Sequence, residues 1–191
     1  AKEMQHRIEQ LLGISVRSLW IGTFHGLAHR LLRIHWQLAG LPQTFQILDS
    51  DDQLRIIKKI QKELNIDDQH FPPKQTQYYI NNQKDEGRRY KDLEYTSDRS
   101  KKYLQEIYKV YEQQCQQLGL VDFAEIILRT KDLLINNPEL RQHYQNRFKH
   151  ILVDEFQDPT ISDIILSALL VTNEYSSQAI SGVTEHELRH C

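Results

Sequence analysis

Two short apolar segments that read as β-strands, Leu19–Gly22 and the run around Ile151–Val153, flank a long stretch patterned for helices alone. Neighbouring parallel strands normally need a single crossover helix, so this separation predicts a sheet domain interrupted by an all-helical insertion. The expected fold class is α/β, predominantly helical. Residues 1–40 and 149–170 belong to the sheet domain in this scheme, residues 41–148 to the insertion, and residues 171–191 form a polar, divergent tail.

Helical periodicity and capping residues fill in the rest. Met4, Ile8, Leu11 and Leu12 make one apolar stripe, stopped by Gly13. Thr23 can cap a helix whose inner face holds Phe24, Leu27, Ala28, Leu31, Leu32 and Leu38, ending near Gly40. Ser50-Asp51-Asp52-Gln53 opens a helix with Leu54, Ile57, Ile60 and Leu64 inward, and Pro72 and Pro73 open another that runs through Lys84 to Gly87. Gly87 to Ser100 is a charged loop. Leu104, Ile107, Tyr108, Tyr111, Cys115 and Leu118 mark a long helix ending at Gly119. Asp122-Phe123-Ala124-Glu125 is a second capping box, with Phe123, Ile126, Ile127, Leu133 and Leu134 inward. A further helix reaches about Arg147, and Ser162–Val171 patterns as one more.

Chemistry concentrates at the end of the late strand, His150-Ile151-Leu152-Val153-Asp154-Glu155-Phe156-Gln157-Asp158. Ligands of open α/β sheets sit beyond the carboxyl ends of the strands, where one carboxylate can hold Mg²⁺ and its neighbour can orient a water. The alternative is a solvated strand end. Gly22-Thr23-Phe24-His25-Gly26 combines a hydroxyl with free N–H groups at a helix start, which suits an anion, while Phe24 or His25 could meet a base. Its alternative is a plain N-cap with Phe24 in the core.

Lys84, Arg88, Arg89, Lys91, Arg99, Lys101 and Lys102 form the densest basic region, diluted by Asp85, Glu86, Asp92, Glu94 and Asp98, and most of it reads as a mixed-sign surface. His186-Glu187-Leu188-Arg189-His190 matches H-E-x-x-H literally, so a zinc metallopeptidase is a remote alternative. It has no downstream segment for a third ligand, and nine histidines make a chance match easy. Asp49-Ser50-Asp51-Asp52 lacks the glycine and terminal glutamate of a calcium loop and reads as a helix cap.

A formal net charge of −2 and a pI near 6.5 give no global basic signature, so nucleic-acid contact must come from a local patch. The longest apolar run, Ile164–Val171, is far shorter than the roughly 20 residues that span a bilayer. The first residues show no secretory signal pattern, and two cysteines, Cys115 and Cys191, build no disulfide framework. A cytoplasmic location is expected.

The string HILVDEFQD resembles the Walker B motif of UvrD/Rep-type superfamily 1 DNA helicases, and LWIGTFHGLAHRLLR resembles their Thr-Phe-His-Gly motif. YINNQKDEG and LVDFAEIILR are similar to two stretches of the family's helical insertion. The likeness covers residues 1 to about 160, whereas Pro159 to Cys191 shows neither the Thr-Asn nor the Gly-Asp-x-x-Gln that the family carries.

The resemblance implies part of a RecA-like P-loop NTPase domain carrying a helical subdomain, from an ATP-dependent 3′-to-5′ DNA helicase of DNA repair. Asp154 would hold Mg²⁺ and Glu155 would polarise the attacking water, with Gln157 and Asp158 linking the ATP site to the DNA site. Thr23, Phe24, His25 and Gly26 would contact single-stranded DNA, and Lys84, inside the matching QKDEG string, would reach a phosphate. Implied partners are single-stranded DNA, duplex junctions and DNA repair proteins, with ATP and Mg²⁺ as cofactors of the whole enzyme. No G-x-x-x-x-G-K-[ST] occurs in this sequence, so the chain alone is expected to be an inactive fragment with no cofactor bound. A catalytically silent DNA- or protein-binding helical module is the other class left open.

Overall fold

A capping side chain or a leading proline decides where each α-helix from Phe24 onward begins. The structure, a computed structural model, describes residues 6–10, 13, 19–148 and 151. Helix α1 (Phe24–Ile34) starts after Thr23. Strand β1 (Gln46–Ile47) leads to α2 (Ser50–Glu63), whose cap is Asp49, one residue earlier than the sequence pattern suggests; its carboxylate accepts the Asp52 N–H at 2.7 Å. Helix α3 (Pro73–Asp85) opens on a proline that lacks only an N–H the helix would not use. A 3₁₀ turn (Tyr90–Asp92) interrupts the charged loop before α4 (Arg99–Leu118). Strand β2 (Leu120–Val121), α5 (Phe123–Asn136) and α6 (Pro138–Arg147) follow, and residues 6–10, ahead of these elements, are helical as the apolar stripe before Gly13 predicts.

Strands β1 and β2 pair in parallel, Gln46 with Leu120 and Ile47 with Val121. Gly119 joins α4 to β2 with φ +65°, a left-handed conformation that glycine adopts without a Cβ penalty. A Cβ there would also lie 2.5 Å from the Pro42 ring. Glycine is required twice over.

The apolar side chains gather into two clusters. Ala28, Leu31 and Leu32 of α1 pack with Ile126, Ile127, Leu133 and Leu134 of α5, with Tyr144 of α6, and with Leu41, Phe45 and Val121. Ile57 and Ile60 of α2, Ile80 of α3, and Ile107, Tyr108, Tyr111 and Cys115 of α4 form the other, together with Leu48. The chain therefore enters the second cluster just after β1 and leaves it just before β2. The apolar faces of α5 and α6 thus join α1 in one cluster across the expected boundary at residues 40/41, while the start of α5 also meets α3 and α4 through Lys84 and Tyr111.

Residues 19–22 form no strand. Trp20 instead anchors this segment through its side chain: its ring meets Tyr144 and Phe148 edge-on at 5.7 and 5.2 Å, and the Arg30 guanidinium lies 4.3 Å from the ring centre. The late strand lies outside the described residues except for Ile151, as does the helix expected at Ser162–Val171. No helix among the described residues is long and apolar enough to cross a membrane.

Candidate nucleic-acid interface

At the start of α1 the Thr23 backbone is extended (φ −75°, ψ 160°) and its hydroxyl accepts the Gly26 N–H at 3.2 Å. That bond satisfies one of the four orphan N–H groups of the first turn. No acidic residue stands in the turn to neutralise the positive end of the helix dipole. Gly22, Thr23 and Gly26 are exposed. A side chain at Gly26 would put its Cβ 3.2 Å from the Thr23 hydroxyl, so glycine keeps this approach clear.

Phe24 and His25 part ways here. Phe24 is half-buried and packs against the first apolar cluster, so it serves the core in the main. His25 instead faces Phe123, ring centres 5.6 Å apart and planes inclined by 48°. Phe123 is 56% exposed, although the helical pattern placed it inward. It is the first residue of α5, and Ile126 and Ile127 one turn further on are buried. The two helix starts thus present a pair of aromatic rings beside an open, electropositive helix end. Such a surface can accept a phosphate on N–H groups and a base on a ring face.

Behind Phe123 the start of α5 is sealed. Asp122 Oδ1 accepts the Glu125 N–H at 2.8 Å, and Asp122 Oδ2 accepts from Lys84 Nζ at 2.6 Å and from the Tyr111 hydroxyl at 2.7 Å. Lys84 also lies 3.2 Å from Glu125 Oε2. Arg89 spans Glu125 (2.7 Å) and Asp132 (2.7 Å), and Arg129 donates to Glu125 Oε1 at 2.8 Å and to the Ala39 carbonyl at 3.1 Å.

Burial alone would strip the Lys84 proton, but Asp122 and Glu125 reverse this and hold its pKa above the usual lysine value. Burial likewise pushes Glu125 up, yet Lys84, Arg89 and Arg129 win and keep it well below the ordinary carboxylate range. Burial raises the Tyr111 hydroxyl, as does the Asp122 charge, so it stays a donor. The Cys115 thiol, a small core residue as expected, is pushed up to about 12, chiefly by burial.

Lys84, expected at a phosphate, lies inside this cluster. It is 2% exposed and its ammonium is consumed by two carboxylates, so in this arrangement it reaches no phosphate. Arg89 is likewise tied to Glu125 and Asp132, and Arg88 pairs with Glu86. Sequence reasoning treated Asp122 and Glu125 as a local capping box and missed their long-range partners. It also missed Phe123 as a surface residue. Asp154, Glu155, Gln157 and Asp158, expected at the metal and nucleotide, lie outside the described residues, as do His186, Glu187 and His190. Among the described residues no group of three or more His, Cys, Asp or Glu side chains could hold a metal ion.

Comparison with known proteins adds an independent line. The profile of the UvrD/REP helicase N-terminal domain matches residues 1–180. The sequence is 52% identical to DNA helicase II of Escherichia coli (strain K12) over 158 residues, which cover 83% of this chain and 22% of that protein. Identity to DNA helicase II of Haemophilus influenzae is also 52%, over 162 residues with the same coverage. The ATP-dependent DNA helicase PcrA of Staphylococcus epidermidis is 32% identical over 189 residues, 98% of this chain and 26% of that protein. The chain thus spans about a quarter of the length of these relatives.

Proposed function

Since this chain belongs to the UvrD/REP helicase N-terminal domain family, we propose that it supplies part of the motor and of the single-strand DNA path of an ATP-dependent 3′-to-5′ DNA helicase acting in repair. The observation that carries the DNA assignment is the pairing of His25 with Phe123 beside the uncompensated N-terminus of α1. Thr23 and Gly26 shape the anion-accepting turn, and the two rings offer a stacking surface worth roughly 1–3 kcal/mol per base.

In the whole enzyme, Asp154 and Asp158 serve the Mg²⁺ and nucleotide, Glu155 aims the hydrolytic water, and Gln157 relays nucleotide state towards the DNA. ATP with Mg²⁺ supplies the phosphoryl transfer, and every other contribution named here is binding and positioning. Residues 1–40 and 149–170 belong to a RecA-like domain in this scheme, and residues 41–148 form its helical insertion. Duplex junctions and repair proteins are the further partners in this scheme, and the cytoplasm is its location.

Without a phosphate-cradling loop in its sequence, the chain by itself binds single-stranded DNA weakly and turns over no ATP. Fluorescence anisotropy with a labelled oligonucleotide across a salt series tests the DNA site. Affinity that falls with salt, and falls further in folded His25→Ala and Phe123→Ala proteins, is the expected result. Undiminished binding by both folded variants would sink the assignment. For the motor, loss of hydrolysis by Glu155→Gln in an ATP-hydrolysing protein that contains this chain is expected, and unchanged turnover would remove Glu155 from its role.

A further inference from the structure

We infer that the buried Lys84–Asp122 pair is a positioning device for DNA binding, which fixes Phe123 against His25 so that the two rings present one stacking surface. This rests on the DNA-site assignment above and names residues that would act on it without touching DNA.

Phe123 has little of its own to hold it, since over half of its surface is exposed. Its place is set by the residue before it. Asp122 uses one oxygen to cap α5 and the other to accept from Lys84 on α3 and Tyr111 on α4, so three helices meet at this carboxylate. Asp122, Lys84 and Glu125 are 2%, 2% and 4% exposed. A cap alone would have needed none of this, because the exposed Thr23 caps α1 with no ion pair. Replacing buried ion pairs by apolar groups is often neutral or stabilising, so such a pair is weak evidence for stability by itself. What the pair does supply is direction: it allows one rotation and one height for the first turn of α5 relative to α3 and α4. Facing it, Thr23 performs the same service for His25, two residues on.

The test is a double-mutant cycle in the full chain, with a single-stranded oligonucleotide carrying 2-aminopurine as the probe. Lys84→Met combined with Asp122→Asn removes one charge of each sign, keeps a capping side chain, and leaves Glu125 with Arg89 and Arg129. Lys84→Arg is the conservative companion, retaining the charge in a longer, planar head. Both should keep the parent's circular dichroism.

Expected is about a tenfold loss of affinity in the doubly neutralised protein, the order of one lost stacking contact. The salt slope should stay unchanged, the stacking signal of 2-aminopurine should fall, and Lys84→Arg should lie between it and the parent. Adding Phe123→Ala should then cost nothing further. Losses that multiply to about a hundredfold, or parent-like affinity in the folded, doubly neutralised protein, would overturn the positioning role. Phe123→Ala without effect in the otherwise unchanged chain would instead remove the DNA-site assignment, and this role with it.

Discussion

Thr23 and Asp122 each cap a helix by accepting the N–H three residues on, at 3.2 and 2.8 Å, yet one stands in solvent and the other is 2% exposed. The first turn of α1 carries no acidic side chain, whereas that of α5 holds Glu125 and is locked by Lys84, Arg89 and Arg129. The same local motif therefore leaves one helix dipole open to an incoming anion and saturates the other internally. Local geometry builds the helix end; long-range partners decide whether it is available to a ligand.

Breaking the closed end should have the largest effect. Lys84→Met leaves Asp122 and Glu125 buried without their shared cation, which should cost about 3–5 kcal/mol of stability. Urea denaturation measures this directly. A loss below about 1 kcal/mol would mean that these carboxylates are effectively solvated and the contrast with Thr23 is superficial.

At the open end the effect should move from stability to binding. His25→Ala and Phe123→Ala should each weaken single-stranded DNA binding by about 1–3 kcal/mol while leaving the urea midpoint close to that of the parent. Equal loss of both quantities would make the aromatic pair a packing element. Thr23→Ala comes next, at about 1 kcal/mol of stability from an exposed cap, with Thr23→Ser restoring most of it. A loss as large as that of Lys84→Met would show that the α1 end is buried against something the described residues do not include.

The two helix ends also differ in how much of them could be read from sequence. Thr23, Asp122, Pro73 and Gly119 act where the pattern put them, because capping and helix termination involve residues only a few positions apart. Lys84 and Asp122 are 38 residues apart and Arg89 and Glu125 are 36 apart, and no local signal announces such pairing. A lysine in a polar, basic stretch looked like surface for that reason.

Phe123 failed in the other direction: it sits three and four residues before Ile126 and Ile127, so periodicity put it in the core, but as the first residue of α5 it stays exposed. Leu19–Gly22 had strand-like composition, yet it forms no strand, and Trp20 secures the segment by ring packing. Family membership, in contrast, was legible from a handful of short strings, and the match to residues 1–180 bears it out.

The smallest expected effect sharpens the contrast within the closed end itself, between Glu125 and Glu112. Both are shielded carboxyls near Lys84 and Arg89, but Glu125 has those cations in contact, while Glu112 keeps a buried oxygen, Oε1, with no hydrogen-bond partner. Burial therefore dominates at Glu112 and raises its pKa against the pull of Tyr108, Lys84 and Arg89, whereas the cations win at Glu125 and lower it.

The signs for stability are opposite. Glu125 contributes stability that is present above the ordinary glutamate pKa and lost as pH falls through its depressed folded value. Glu112 is destabilising when charged, so its cost is absent below the ordinary glutamate range, grows as pH rises through its elevated value, and is complete above it. Glu112→Gln imitates the neutral carboxyl, removing a charge that burial disfavours, and should raise stability at pH 7 by about 1 kcal/mol or less. The gain should shrink to nothing as pH is lowered past the ordinary glutamate range. Urea midpoints for parent and variant over a pH series supply the test. A gain that persists undiminished in acid would mean that the substitution acts through packing, and a loss at neutral pH would mean that the Glu112 charge is one the Lys84 and Arg89 cations need.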